Sequence, residues 1–183
     1  SYYPFISIIV SAKNESNNID ALIESLYKQN YPVEKYEIII ANDKSTDNTL
    51  QKLLYHQKIK KNLKIINIKN TPIKWGSKKW ALNQCIDNCK GDFIVQTDAD
   101  CLHDKDWIFE MIQPFQEYEI GFVCGPSYIG KYSNFWDSIL RLESISQESF
   151  NYANSKKNLY ISCTGRNIAF KKTIFTEING YDG

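Results

Sequence analysis

Asp98 and Asp100 close the apolar run Phe93-Ile94-Val95 and are separated by a single alanine, Ala99. In an extended strand, residues i and i+2 point to the same side, so both carboxylates can address one cation. The same residue types also make a polar turn in which an aspartate caps the next helix. Three residues do not separate the two. Glu15 and Asp43 also follow apolar runs, and in a parallel α/β sheet the carboxyl ends of the strands gather on one edge, where such folds bind ligands. Carboxylates alone repel a diphosphate. A bridging Mg²⁺ or Mn²⁺ reverses that electrostatics and stabilises a departing diphosphate. Lys78 follows a loop containing Pro72 and Gly76; it either adds positive charge to this rim or is an ordinary exposed lysine.

These residues need strands and helices to bring them together. Residues 5–12 are nearly continuous in hydrophobicity and rich in isoleucine and valine, the pattern of a parallel strand covered on both faces. Ile19, Leu22, Ile23 and Leu26 then recur at helical spacing. Ser16 or Asn17 is placed to cap that helix, Glu24 stands four residues before Lys28, and Asn30 with Pro32 stops it. A second strand over 36–41, a helix marked by Leu50, Leu53 and Leu54, and a strand over 63–68 follow. The spacing predicts a helix over 78–89 that buries Leu82, Cys85, Ile86 and Cys89, then a fourth strand over 93–97. A helix over 104–118 would hold Asp104 and Asp106 in its first turn, where the helix dipole favours acids. Beyond it the pattern gives a strand over 120–126 and a longer helix carrying Phe135, Ile139, Leu142 and Ile145. A mixed stretch over 160–170 is interrupted by Gly165 and followed by a single helical turn. This alternation predicts an α/β fold with a mostly parallel sheet, flanking helices and right-handed crossovers. The mixed second half reads as a pocket wall within the same domain.

Bulk properties exclude several functions. A chain of 183 residues with 43% apolar and 23% charged residues fits one globular domain. A net charge of +1 leaves no footprint for nucleic acid. Five cysteines without a C-x-x-C pair point to reduced thiols in a cytoplasmic compartment. Cys85 and Cys89 lack the further ligands of a zinc site and read as core thiols. No apolar run reaches the length of a spanning helix. The chain holds no P-loop, no G-x-G-x-x-G and no G-x-S-x-G. His56 reads as a surface or packing residue, and His103 as a phosphate or metal contact or a solvated loop residue, so a hydrolase triad has no natural histidine.

Six segments in register resemble the family 2 glycosyltransferases, the inverting group with a GT-A, Rossmann-type fold. Ile8-Ile9-Val10-Ser11-Ala12-Lys13-Asn14-Glu15 is similar to the opening strand and Y-N-E turn, with Lys13 in the aromatic position. Asn42-Asp43-Lys44-Ser45-Thr46-Asp47-Asn48-Thr49 resembles D-x-S-x-D-x-T. Ser77-Lys78-Lys79-Trp80-Ala81-Leu82-Asn83 matches G-K-x-x-A-L-N with serine for glycine, and Asp98-Ala99-Asp100 resembles D-x-D. Thr164-Gly165-Arg166-Asn167-Ile168-Ala169-Phe170 is similar to G-x-N-x-A-F. Ile178-Asn179-Gly180-Tyr181-Asp182 is similar to G-G-F-D, with Asn179 in place of the first glycine.

The resemblance implies a nucleotide-diphosphate-sugar donor, a saccharide or lipid-linked acceptor, and Mn²⁺ or Mg²⁺ as cofactor. It implies that Ala12, Asn14, Glu15 and Asp43 line the nucleotide site and that Lys78 lies beside it. Asp98 and Asp100 would hold the metal on either side of Ala99, with Gly165, Arg166 and Asn167 walling the sugar or acceptor. Residues up to about 100 would form the donor half and residues 101–183 the start of the acceptor side. The family's catalytic base follows the G-G-F-D segment, so none of residues 1–183 is assigned that role, and the chain reads as part of a longer protein. That protein would be cytoplasmic, or held at the cytoplasmic face of a membrane by segments outside this chain. Two alternatives use the same residues. One is a nucleotide-sugar-binding domain without turnover. The other is a nucleotidyltransferase, which the absence of glycine after the first strand disfavours.

Overall fold

The computed structural model describes residues 3–182 except 118, 128–134, 158, 160 and 161, and of Asp182 only the backbone. Its sheet is built from β1 (Ile6–Ala12), β2 (Tyr36–Asp43), β3 (Leu63–Ile68), β4 (Phe93–Asp98), β5 (Phe122–Cys124) and β6 (Asn167–Lys171). The strand order is β3-β2-β1-β4-β6-β5. The first four strands are parallel. β6 runs antiparallel to β4, and β5 antiparallel to β6. The sheet is therefore mostly parallel, as the alternation of elements requires, with an antiparallel ribbon on one side.

Strand alternation sorts the side chains into two cores. Ile6, Ile8, Val10, Phe93 and Val95 face α1 (Ile19–Tyr27) and α4 (Trp107–Ile112), while Ile9, Ile39 and Ile94 face α3 (Ser77–Asp87). All four residues of the α1 stripe are buried, each stabilising the fold by about 1.5–3 kcal/mol relative to exposure. The Glu24–Lys28 pair forms at 3.5 Å on the exposed side. Cys85 and Cys89 lie in the second core, where burial pushes the Cys89 thiol up to about 12 and the Cys85 thiol higher still. The described cysteines are all free thiols.

Several local expectations are corrected. The residue before α1 is Asn18, not Ser16 or Asn17, and its amide bonds the Glu15 carboxylate at 2.7 Å instead of capping the helix. In α2 (Thr49–Ile59) only Thr49 and Leu53 are buried, and Leu54 faces solvent. α4 ends at Ile112 and passes into a short 3-10 turn, Gln113–Gln116, because Pro114 lacks the N–H a continuing α-helix needs. Asp104 and Asp106 precede that helix rather than filling its first turn. α5 (Phe135–Ser155) contains no buried residue, so the apolar stripe that predicted it stays exposed among the described residues. Of the mixed stretch over 160–170, residues 160 and 161 lie outside the described residues. The strand begins only at Asn167 and leads into α6 (Lys172–Glu177). No helix among the described residues is long and apolar enough to cross a membrane.

Candidate active site

Register brings the ends of three strands level: Ala12 pairs with Asn42, and Ser11 pairs with both Ala41 and Asp98. Asp43 and Asp98 therefore terminate β2 and β4 at the same edge. Helix α3 ties them together through consecutive residues. Ser77 Oγ lies 2.8 and 2.6 Å from the two Asp43 carboxylate oxygens, to which it donates. Lys78 Nζ donates to Asp98 Oδ1 at 2.6 Å. Asp43 is only 2% exposed, and a buried carboxylate needs such partners. Lys44 Nζ supplies another at 3.2 Å and bonds Ser77 Oγ and Thr71 Oγ1 as well. Lys44 holds a left-handed backbone, φ 55°, which costs a non-glycine residue about 1–2 kcal/mol.

Most of the remaining polar residues after β1 and β2 bind each other. Asn14, also left-handed at φ 56°, donates its backbone N–H to Ser45 Oγ, and its Oδ1 accepts from the Thr46 N–H at 2.8 Å. Glu15 N–H donates to Thr49 Oγ1, while its backbone carbonyl accepts from Asn18 and Ile19 at the start of α1. Asp47 accepts from Thr49 and from the Ser16 N–H; these bonds, the Thr49 hydroxyl first, hold its carboxyl well below the usual range. Ser45, Asp47 and Thr49 thus clasp the loop after β1. The D-x-S-x-D-x-T spacing carried them, but only tertiary contact reveals this work.

The expected geometry of the carboxylate pair changes. β4 ends at Asp98, and the Cys101 N–H donates to the Asp98 carbonyl at 3.3 Å. Ala99 and Asp100 therefore lie in a turn, where the i, i+2 rule for strands does not apply. The Asp98 side chain is 20% exposed and Asp100 is exposed. The methyl groups of Ala12 and Ala99 belong to the hydrophobic core. No group of three or more His, Cys, Asp or Glu residues forms a metal cage among the described residues. The donors at the rim are carboxylate oxygens, which fit Mg²⁺ or Mn²⁺. Such cations are commonly held by one or two carboxylates together with substrate phosphates and water. Asp98 and Asp100 are the residues that would hold one.

On the other side of β4, Gln96 is buried; its Nε2 donates to the Gly165 carbonyl at 2.8 Å and its Oε1 accepts from Tyr181 at 3.2 Å. Burial pushes the Tyr181 phenol up to about 12. Arg166 is exposed. Asn167 uses both ends of its amide: its Oδ1 accepts from Trp107 Nε1 and its Nδ2 donates to the Pro126 carbonyl, both at 2.8 Å. His103 is half-buried, stacks on Trp107 with centroids 3.7 Å apart, and bonds Thr97 Oγ1 at 2.9 Å. Burial lowers its pKa to about 4, so the ring is neutral near pH 7. His56 bonds Asp20 at 2.8 Å between α1 and α2, a packing role. An open groove of about 420 Å³, lined by Asp92, Lys172 and Thr176, lies at the amino end of β4, away from the acids.

This strand order, the antiparallel ribbon beyond β4 and the acids at the carboxyl edge of the parallel strands define a GT-A domain. Residues 7–178 match the model of Glycosyl transferase family 2, and the chain belongs to that family. It is 34% identical over 134 residues to a beta-monoglucosyldiacylglycerol synthase of Nostoc sp., covering 73% of this chain and 28% of that protein. It is also 34% identical over 142 residues to a poly-beta-1,6-N-acetyl-D-glucosamine synthase of Staphylococcus aureus, covering 77% of this chain and 33% of the relative. The chain thus spans about a third of the length of these curated relatives. A mannosyltransferase of Pyrobaculum calidifontis, solved with GDP-Man and Mn²⁺, shares the fold with a TM-score of 0.74 and 22% identity, over 98% of this chain and 48% of that one.

Proposed function

We propose that the protein is a metal-dependent, inverting glycosyltransferase that moves a sugar from a nucleotide-diphosphate-sugar to a hydroxyl of a saccharide or lipid-linked acceptor. One observation carries the reading: in a family 2 domain, Lys78 sits on Asp98 at the edge where parallel α/β sheets bind their ligands. The GDP-Man and Mn²⁺ of the Pyrobaculum enzyme support a nucleotide-sugar donor and a divalent cation.

Asp98 and Asp100 hold Mn²⁺ or Mg²⁺ in this reading, and the cation, when bound, supplies the positive charge that stabilises a departing diphosphate. Lys78 is the second cation at that end. Asp43, with Ala12, Asn14 and Glu15, belongs to the nucleotide end, while Gly165 and Arg166 border the sugar. Inversion by direct displacement also needs a base for the acceptor proton; the family resemblance puts that base beyond residue 183. Residues 1–183 therefore serve the donor half of the reaction, and membrane association would come from other segments.

Calorimetry of UDP and GDP binding to the full-length protein, with Mn²⁺ and with chelator, tests this directly. Binding should depend on the cation and be lost in Asp100→Ala. Equal binding in chelator would remove the metal from the mechanism. Turnover by residues 1–183 alone would refute the placement of the base.

A further inference from the structure

The turn that carries Asp100 is anchored by side chains outside the D-x-D segment. After Asp98 the chain leaves the sheet, and Asp100 and Leu102 are exposed. Residues 104–106 are fixed from the end of α1, where Gln29 Nε2 donates to the Asp104 carbonyl at 2.7 Å and the Asn30 N–H donates to the Lys105 carbonyl at 2.7 Å. Between these anchors and the strand, His103 draws the loop back onto β4 through Thr97 Oγ1.

His103 is itself held. Its ring lies on the Trp107 indole with an interplanar angle of 23°, and the indole N–H is fixed by Asn167 Oδ1. Asn167 is held through both its side chain and its backbone. Its Nδ2 donates to the Pro126 carbonyl, its own carbonyl accepts from the Gly125 N–H at 2.9 Å, and it pairs in register with Thr97. A Cβ at Gly125 would lie 2.4 Å from Asn167 Nδ2, so the amide packs directly on the Gly125 backbone. Thr97, His103, Trp107 and Asn167 close a circuit that begins and ends on the strand leading to Asp98.

We propose that His103, Trp107 and Asn167 are positioning residues for Asp100, with Asn167 acting through Trp107 and not through contact with the sugar. The proposal rests on the reading of Asp100 as a carboxylate for a cation-bound diphosphate. An exposed aspartate in a turn has many orientations, and anchoring the loop three residues later narrows them before the cation arrives. That is preorganisation, and its loss shows as weaker cation binding.

The test uses two variants of the full-length protein, of which Thr97→Val is near-isosteric and Trp107→Phe also shortens a buried ring. Thr97→Val removes the hydroxyl that His103 uses, and Trp107→Phe removes the N–H that Asn167 accepts. Mn²⁺ is titrated by electron paramagnetic resonance in the presence of UDP and, separately, GDP, with Asp100→Ala as reference. Each variant should raise the Mn²⁺ Kd by about three- to tenfold, the scale of one lost hydrogen bond, while the far-UV circular dichroism of the metal-free protein stays unchanged. Wild-type Mn²⁺ affinity in both variants, with Asp100→Ala impaired, overturns the positioning role alone. If Asp100→Ala itself binds Mn²⁺ normally, the metal reading falls and takes the proposal with it.

Discussion

Lys78 Nζ reaches Asp98 Oδ1 across 20 residues of sequence, at 2.6 Å, although its own side chain is 55% exposed. An ion pair this open contributes little to folding, so its value lies in placing a cation beside the rim. Lys78→Met should leave the melting temperature nearly unchanged and weaken nucleoside diphosphate binding at saturating Mn²⁺ about tenfold or more, as expected for a charged hydrogen bond. Calorimetry and thermal unfolding on the same variant check both halves.

The neighbouring residue behaves oppositely. Ser77 serves a carboxylate that is almost wholly buried, and removing its hydroxyl leaves Asp43 dependent on Lys44. Ser77→Ala should destabilise the domain by about 1–3 kcal/mol, measured by urea unfolding. Ser77→Thr, which keeps the hydroxyl, should lose less.

At the opposite edge, Gly91 packs against the first strand. A Cβ there would lie 2.6 Å from the Ser7 backbone nitrogen and 2.8 Å from the Ile6 carbonyl carbon. Backbone cannot step aside as a side chain does. The Gly91 N–H also donates to Ser7 Oγ, which in turn donates to the buried Glu37 carboxylate. Gly91→Ala should cost about 1–3 kcal/mol from overpacking alone, read as a lower urea midpoint.

His103 gives the fold a signature in pH. Burial lowers its pKa from the ordinary 6.5 to about 4, so the unfolded chain takes up the proton first as pH falls. Its contribution to stability is complete above about pH 6.5 and is lost progressively toward pH 4, on the order of 3 kcal/mol at most. His103→Phe keeps a ring on Trp107 but cannot titrate. The stability difference between pH 7 and pH 5 should be smaller in that variant by the histidine's share.

Local pattern carried the parallel half of the fold. The runs behind Asp43 and Asp98 and the stripe Ile19, Leu22, Ile23 and Leu26 each bury the face that their period predicts. Leu54 and the α5 stripe did not follow, because periodicity reports which face is apolar and not whether a partner covers it. The acids at the strand ends were legible too, as was Lys78 beside them. Unread were the partners: Ser77 on Asp43, Asp47 on Ser16, Gln96 on Gly165 and Trp107 on Asn167.

The sequence by itself determined the order of the parallel strands and their helices, the family and the chemistry available at one edge of the sheet, because hydrophobic period and motif spacing are local properties of the chain. Only the tertiary structure decided which partners those polar residues bond. Asn14, Asp47 and Asn167 bond residues of other loops and strands, and Asp98 stands at the rim with Lys78. Hydrogen bonds between residues tens of positions apart exist only once the strands are in register, and no one-dimensional spacing encodes them.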